Sequence, residues 1–411
     1  MGRRGRRAGK RLCIGVVGSN YDGTITRSDT FESVILQACN KYYSDKPEAC
    51  ELFALEREAE KVLATHVSDR LLWCNEWLPA APMDRFDGNA VGKLFLAISE
   101  FEYIYNFKIE KEMRILQLLD SNIVDTSSAE CEEGCEFREG AFETLRSICE
   151  CSRKFMVVSV SKGSKRITDT VQSITSAGEG RCELEVSASE FEYKSPTSPS
   201  VETAPNSLYG PSCKYRVFRQ SVKETNRQYN RRRRDRLHYL IASISLNAIS
   251  RRDIYIKSVF VGNKANDLEC MLYSEIGILM AELPPVCSIF DAQTSEHSSA
   301  SELTHYSLPS GAENSLNIDH FAFRICQLFS VQMVPISDVH AEKIRSSGLK
   351  VYEDVARDKE GIANIRDYLR ISRMMRLQNS KASRFRFSGI LLLAFSWSEI
   401  SRFFFPPSEC K

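Results

Sequence analysis

The sequence predicts a doubly wound α/β protein carrying a helical insertion, on three observations. Short continuous apolar runs end in polar loops at residues 13–18, 155–160 (FMVVSV) and 258–262 (SVFVG), as strands buried on both faces of a parallel sheet do. Helical periodicity separates the runs, for example over 236–248, giving the strand–helix alternation of an α/β core. The first loop, in VVGSNYDGTIT at residues 16–26, places Asn, Asp, Gly and Thr just past an apolar run. In open parallel sheets, ligands sit beyond the carboxyl ends of the strands.

Taken in order, residues 1–29 hold a basic leader, the first strand and its motif loop. The apolar run after the leader is short and forms the strand itself, so a cleaved secretory signal is not expected. Residues 30–136 are helical in pattern and rich in charge and aromatics, which predicts a helical cap inserted between the first two strands. Trp73 and Trp77, four apart, are expected in the core of that cap. Residues 137–345 carry the rest of the core, with a further strand at 276–281. Ser/Pro-rich segments near 195–212 and 283–317 have the composition of surface loops. Residues 346–411 read as a C-terminal extension, basic and helix-like to 386. Its apolar run at 390–395 is too short to span a bilayer.

A chain of 411 residues with 43% hydrophobic and 27% charged residues is ordinary for a soluble globular protein. Its net charge of +1 gives no general attraction to membrane or nucleic acid. Beyond the leader, the arginines at 231–234 form a basic block, read as a solvated helix start, with a localisation signal or nucleic-acid patch as the other readings. The 14 cysteines form no regular framework, which suits reduced thiols in a cytoplasmic compartment. The Arg-rich leader makes an organelle such as the mitochondrion the alternative. Zinc at Cys131/Cys135 and Cys149/Cys151 is not expected, because no His lies near either pair. A homo-oligomer is compatible with this composition.

The polar residues at the strand ends are the candidate site. Asn20 and Asp22 follow the first strand, Ser159 (with Ser161 competing) the second, and Asn263 and Asp267 the third, in Gly262-Asn263-Lys264-Ala265-Asn266-Asp267. Arg236 or Lys223 could supply a cation. In this order the pieces resemble the haloacid-dehalogenase superfamily of phosphatases. The resemblance implies a nucleophile at position 20, an acid/base at Asp22, phosphate holders at Ser159 and Arg236, and magnesium at Asn20, the Asp22 carbonyl, Asn263 and Asp267. A closer resemblance is to the phosphatase half of plant proteins that fuse a thiaminase-II-like domain to a thiamin monophosphate phosphatase. It is carried by SASEFEY (187–193), VFVGNKANDLECMLYSEIGI (259–278), FSVQMVPIS (329–337) and LLLAFSWSEISRFF (391–404).

Two departures matter for the chemistry. The family's nucleophile and one metal ligand are Asp, and here they are Asn20 and Asn263. A neutral amide does not attack phosphorus as a carboxylate does. Magnesium favours anionic oxygen, so two amides predict a weak or absent Mg²⁺. Losing two carboxylates together with a divalent cation leaves the net charge of the site unchanged. The expectation is a phosphatase relative that acts on or binds a small phosphomonoester, thiamin monophosphate by resemblance, with impaired catalysis. A shifted register, with Asp22 as nucleophile and Thr24 two residues later, is the enzymatic alternative. A non-enzymatic metabolite sensor or protein scaffold on the same fold is the other.

Overall fold

The computed structural model describes residues 12–27, 66, 69–112, 136–162, 164–175, 182–189, 191–195, 198–203, 207–242, 254–281, 320–380 and 383–406. Strand β1 (Leu12–Ser19) is apolar and buried over its last six residues, because it has a strand on each side and a hydrophobic layer on each face. It pairs in parallel with β2 (Ser152–Lys162) and with β6 (Ile254–Gly262). The eight-stranded sheet has the order β3-β2-β1-β6-β7-β10-β8-β9, and all its pairings are parallel. The remaining members are β3 (Glu183–Ser189), β7 (Ile276–Met280), β8 (Gln332–Pro335), β9 (Lys350–Val351) and β10 (Ile390–Ala394). A separate antiparallel pair joins β4 (Phe191–Ser195) to β5 (Ser198–Thr203). Chain order reverses at β1, whose neighbours are β2 on one side and β6 on the other, and such a switch point opens a crevice at the carboxyl edge.

Helices cover both faces. On one, α1 (Gly88–Glu112), α4 (Pro211–Ala242), α5 (Leu268–Tyr273) and α6 (His320–Leu328) bring Leu94, Phe95, Phe218, Leu268 and Ile325 against Val16 and Phe260. On the other, α2 (Ala141–Cys151), α3 (Ser164–Thr175), α8 (Ile365–Ser380) and α9 (Trp397–Phe404) bury Leu145, Ile167, Tyr368 and Trp397 against Val17 and Ile278. The short α7 (Ala341–Ser346) precedes β9.

Residues 346–411, expected as an extension, instead complete the core. β10 sits between β7 and β8, with Leu392 opposite Ile278 on one side and Val334 on the other. An all-apolar strand, ILLLA, cannot be left in water when a sheet can bury both its faces. The segment at 195–212, expected as a loop, carries β5 and the first two residues of α4. That helix starts at Pro211, a residue pre-set for the first helical position, and runs through the arginine block at 231–234.

Of the insertion expected as a cap, residues 69–112 are largely helical, and α1 within them packs on one face of the sheet; residues 30–65 and 113–135, including Cys131 and Cys135, lie outside the described residues, as does the segment 283–317. Trp73 and Trp77 do not form a cap core, for each is 42% exposed. The chain tightens into a 3-10 turn at Asn75–Trp77, so the two rings do not share one buried helical stripe. Where the insertion returns, Thr26 and Phe137 form an antiparallel bridge. Among the described residues no helix is long and apolar enough to cross a membrane.

Leu392→Ala tests the placement of β10. Removing this fully buried side chain is expected to cost about 2–5 kcal/mol in urea unfolding, as elsewhere in a packed core. A loss below 1 kcal/mol, on the order of a surface change, would return the segment to the periphery.

Candidate functional site

The motif loop leaves β1 at Ser19, and Asn20 N donates to Val261 O of β6 (3.0 Å), holding the first loop residue against the neighbouring strand. The chain then turns tightly, with Ile25 N donating to Tyr21 O (2.9 Å). Gly23 takes a φ of +69°, and a Cβ there would lie 2.3 Å from Asn263 Nδ2, so glycine is required for both conformation and space. Two distant groups clamp the outside of this turn. Arg138 Nε donates to Gly23 O (2.7 Å) and Trp397 Nε1 donates to Thr24 O (2.8 Å).

The second loop leaves β6 at Gly262, where a Cβ would meet Asp267 Cβ at 2.4 Å. Backbone N–H groups of Asn263 and Lys264 both donate to Asp267 Oδ2 (3.1 and 3.2 Å). Asp267 Oδ1 accepts from Lys214 Nζ at 2.6 Å, and Lys214 also donates to Asn20 Oδ1 at 3.0 Å. Lys214 and Asp267 are 1% and 0% exposed, so each needs the other to remain charged away from water.

Asn20 uses the other end of its amide in the opposite direction. Its Nδ2 donates to the Asp22 backbone carbonyl (2.8 Å) and to Asn263 Oδ1 (3.2 Å). Asn263 Oδ1 accepts a second bond from Thr24 Oγ1 at 2.9 Å. The partners determine the amide's orientation: lysine only donates and a carbonyl only accepts, so oxygen faces Lys214 and nitrogen faces Asp22 O.

The structure therefore brings Asn20, Asp22, Asn263 and Asp267 together at the carboxyl ends of β1 and β6. Ser159 is fully buried in β2, two residues past Val157, the partner of Ser19, and so lies toward the same edge of the next strand. Arg236 is replaced at the site by Lys214. Both are on α4, 22 residues apart, which at 1.5 Å per residue is about 33 Å along the helix. Lys223 is nine residues beyond Lys214 on that helix. Sequence reasoning missed Lys214 because the preceding Ser/Pro segment read as loop. The available signal was Pro211, which marks a helix start three residues before the lysine.

The donor set does not fit magnesium. Asn20 turns an NH₂ group, not an oxygen, toward the Asp22 carbonyl and Asn263, and magnesium requires oxygen ligands in near-octahedral array. Among the described residues no group of three or more His, Cys, Asp or Glu side chains could hold a metal ion.

Beside the site, Glu269 on α5 is 2% exposed and accepts from Ser212 Oγ at 3.0 Å. Burial pushes its pKa up to about 8, opposed by that hydrogen bond. Elsewhere, Cys149 is buried with a raised pKa because its thiol hydrogen-bonds to Cys182 and is desolvated, which marks it as a protonated thiol.

No protein-family model matches the chain, and no curated protein matches it. Solved structures similar to it include a substrate-bound phosphoserine phosphatase complex, at 14% identity, covering 67% of this chain and 87% of that one with a TM-score of 0.34. A phospho-aspartyl intermediate analogue of phosphoserine phosphatase matches at 14% identity over 66% and 87% of the two chains, TM-score 0.34. A HAD family hydrolase from Salmonella enterica serovar Typhi matches at 9% identity over 66% and 63%, TM-score 0.32.

Two outcomes follow from the burial. Lys214→Met leaves Asp267 an uncompensated buried charge and is expected to destabilise by about 3–5 kcal/mol in chemical denaturation; an unchanged midpoint would show that the pair is solvated. Glu269 binds its proton more tightly folded than unfolded, so its contribution to stability is complete at acid pH. That contribution is lost as pH rises from the ordinary glutamate range through about 8. Glu269→Gln should flatten this decline in a pH series of melting temperatures, and an unaltered slope would assign the decline to other groups.

Proposed function

We propose that this chain is a haloacid-dehalogenase-like protein that binds a small phosphomonoester and is impaired in hydrolysing it. The observation that carries this reading is the 3.0 Å hydrogen bond from Lys214 Nζ to Asn20 Oδ1. By the sequence resemblance, position 20 is where an anionic oxygen would attack phosphorus. Here that oxygen belongs to a neutral amide whose lone pairs are delocalised toward nitrogen. Loss of a covalent nucleophile costs on the order of 10⁴–10⁶ in rate in the protease case. Lys214 takes the phosphate-holding role first given to Arg236, with Ser159 as the hydroxyl donor and Asp22 at the acid/base position. Thiamin monophosphate is the ester that the resemblance suggests.

A second reading, a non-enzymatic sensor of a phosphorylated metabolite, draws on the same geometry. A cation and hydroxyl that hold phosphate are retained while the nucleophile is absent, which is what binding without turnover requires.

The test is hydrolysis of an aryl phosphate and of a metabolite panel including thiamin monophosphate, in the presence of magnesium. Wild type, Asn20→Asp and Asn263→Asp are each expected to be nearly inert. The double substitution restores a nucleophile and a metal ligand together, and its gain should far exceed the sum of the singles. Efficient wild-type turnover abolished by Asp22→Ala would overturn the impaired-site reading and make Asp22 the nucleophile. An ester that stabilises wild type but is never turned over, by any variant, would favour the sensor.

A further inference from the structure

We propose that the Asn20 carboxamide stands in for a divalent cation, so that this site is assembled, and takes its phosphomonoester, without metal. The part about the ester rests on the function proposed above; the part about the cation does not. Three groups converge at the carboxyl ends of β1 and β6: the Asp22 carbonyl, Asn263 Oδ1 and the side chain of position 20. Bringing oxygens together at such a point normally calls for a cation, because their lone pairs repel and burial weakens the screening. Here the point is filled by an NH₂ group. One N–H goes to Asp22 O at 2.8 Å and the other to Asn263 Oδ1 at 3.2 Å. Both amide hydrogens are thereby used.

Four acceptor oxygens are satisfied within the same set. Asn263 Oδ1 has two lone pairs and two donors, Asn20 Nδ2 and Thr24 Oγ1. Asn20 Oδ1 accepts from Lys214, and Asp267 receives Lys214 on one oxygen and two backbone N–H groups on the other. Asn20 is 3% exposed, so an entering ion would have to break hydrogen bonds that water cannot readily replace.

The two asparagines act as a pair. An aspartate at position 20 would put a carboxylate oxygen against the Asp22 carbonyl, where a donor now sits. An aspartate at 263 alone would add a charge without supplying a nucleophile. Neutralising both positions removes two negative charges in step with a doubly charged ion, and Lys214 remains to balance Asp267. The net formal charge of the site is therefore unaltered when the cation is absent, with Asp22 remaining beside the Lys214–Asp267 pair.

The experiment is thermal unfolding of the full chain in chelator and in excess magnesium, with and without thiamin monophosphate and inorganic phosphate. Wild type should melt at the same temperature in both buffers, and any ester-induced rise should be the same in both. Asn20→Asp should melt lower than wild type in chelator, by roughly 3 °C for a loss of two hydrogen bonds in a chain of this size. Asn20→Asp with Asn263→Asp should melt lower still in chelator and regain stability with magnesium. A wild-type melting temperature that rises with magnesium, or an Asn20→Asp variant as stable as wild type in chelator, would overturn the inference. So would an ester shift that appears only with magnesium. If the variants do not fold, calorimetric titration of magnesium into wild type decides: binding heat at millimolar ion overturns the proposal, and its absence supports it. No ester shift in either buffer would refute the proposed ligand while leaving the cation argument intact.

Discussion

The ammonium of Lys214 is withdrawn from water at the carboxyl edge of the sheet, and the arrangement around it follows from keeping it charged there. One carboxylate, Asp267 Oδ1, neutralises it at 2.6 Å, and one amide oxygen, Asn20 Oδ1, takes a second N–H. Asp267 in turn needs more than one donor, and the turn after β6 supplies the N–H groups of Asn263 and Lys264. That turn is possible because Gly262 leaves room for the Asp267 side chain. The same lysine that orients Asn20 oxygen-first therefore determines which end of the amide faces Asp22 and Asn263. A single buried ion pair connects a helix start, two strand ends and two loops.

Rigidity comes from parts of the chain far apart in sequence. Trp397 is fully buried, donates its ring N–H to Thr24 O, and accepts from Thr144 Oγ1 through its own carbonyl. Helix α9 is held at its start by Ser396, which accepts from Glu399 N, while Glu399 Oε2 accepts from Phe395 N. This reciprocal cap satisfies two otherwise unpaired N–H groups and orients the helix whose first residue presses on the motif loop. A candidate site built this way is preorganised: little side-chain freedom would remain to be lost on binding a ligand.

Much of the core was legible because its signals are local. The runs at 13–18, 155–160, 258–262 and 276–281 are apolar, and they appear as β1, β2, β6 and β7, since a strand buried on both faces has few other compositions open to it. The loop residues Asn20, Asp22, Asn263 and Asp267 could be placed at strand ends for the same reason. β10 was harder. ILLLA reads as apolar, but its insertion between β7 and β8 depends on partner strands at 276–280 and 332–335, and no residue in the segment encodes that. The helix preceding Lys214 was obscured by a Ser/Pro-rich approach, and composition outweighed the one signal at Pro211.

By itself, the sequence determined the residue types available at each strand end: a neutral amide at positions 20 and 263, acids at 22 and 267, and glycines where the turns admit no Cβ. Those identities already limit the chemistry, because an amide can donate as well as accept and carries no charge. Only the tertiary structure decided which cation meets them. Lys214 and Arg236 belong to one helix and are alike in charge, but they lie about 33 Å apart along its axis, and only Lys214 lies where α4 meets the ends of β1 and β6. The tertiary structure also decided the direction of the Asn20 amide, since its oxygen is distinguished from its nitrogen by the lysine it faces, and that lysine arrives from 194 positions away.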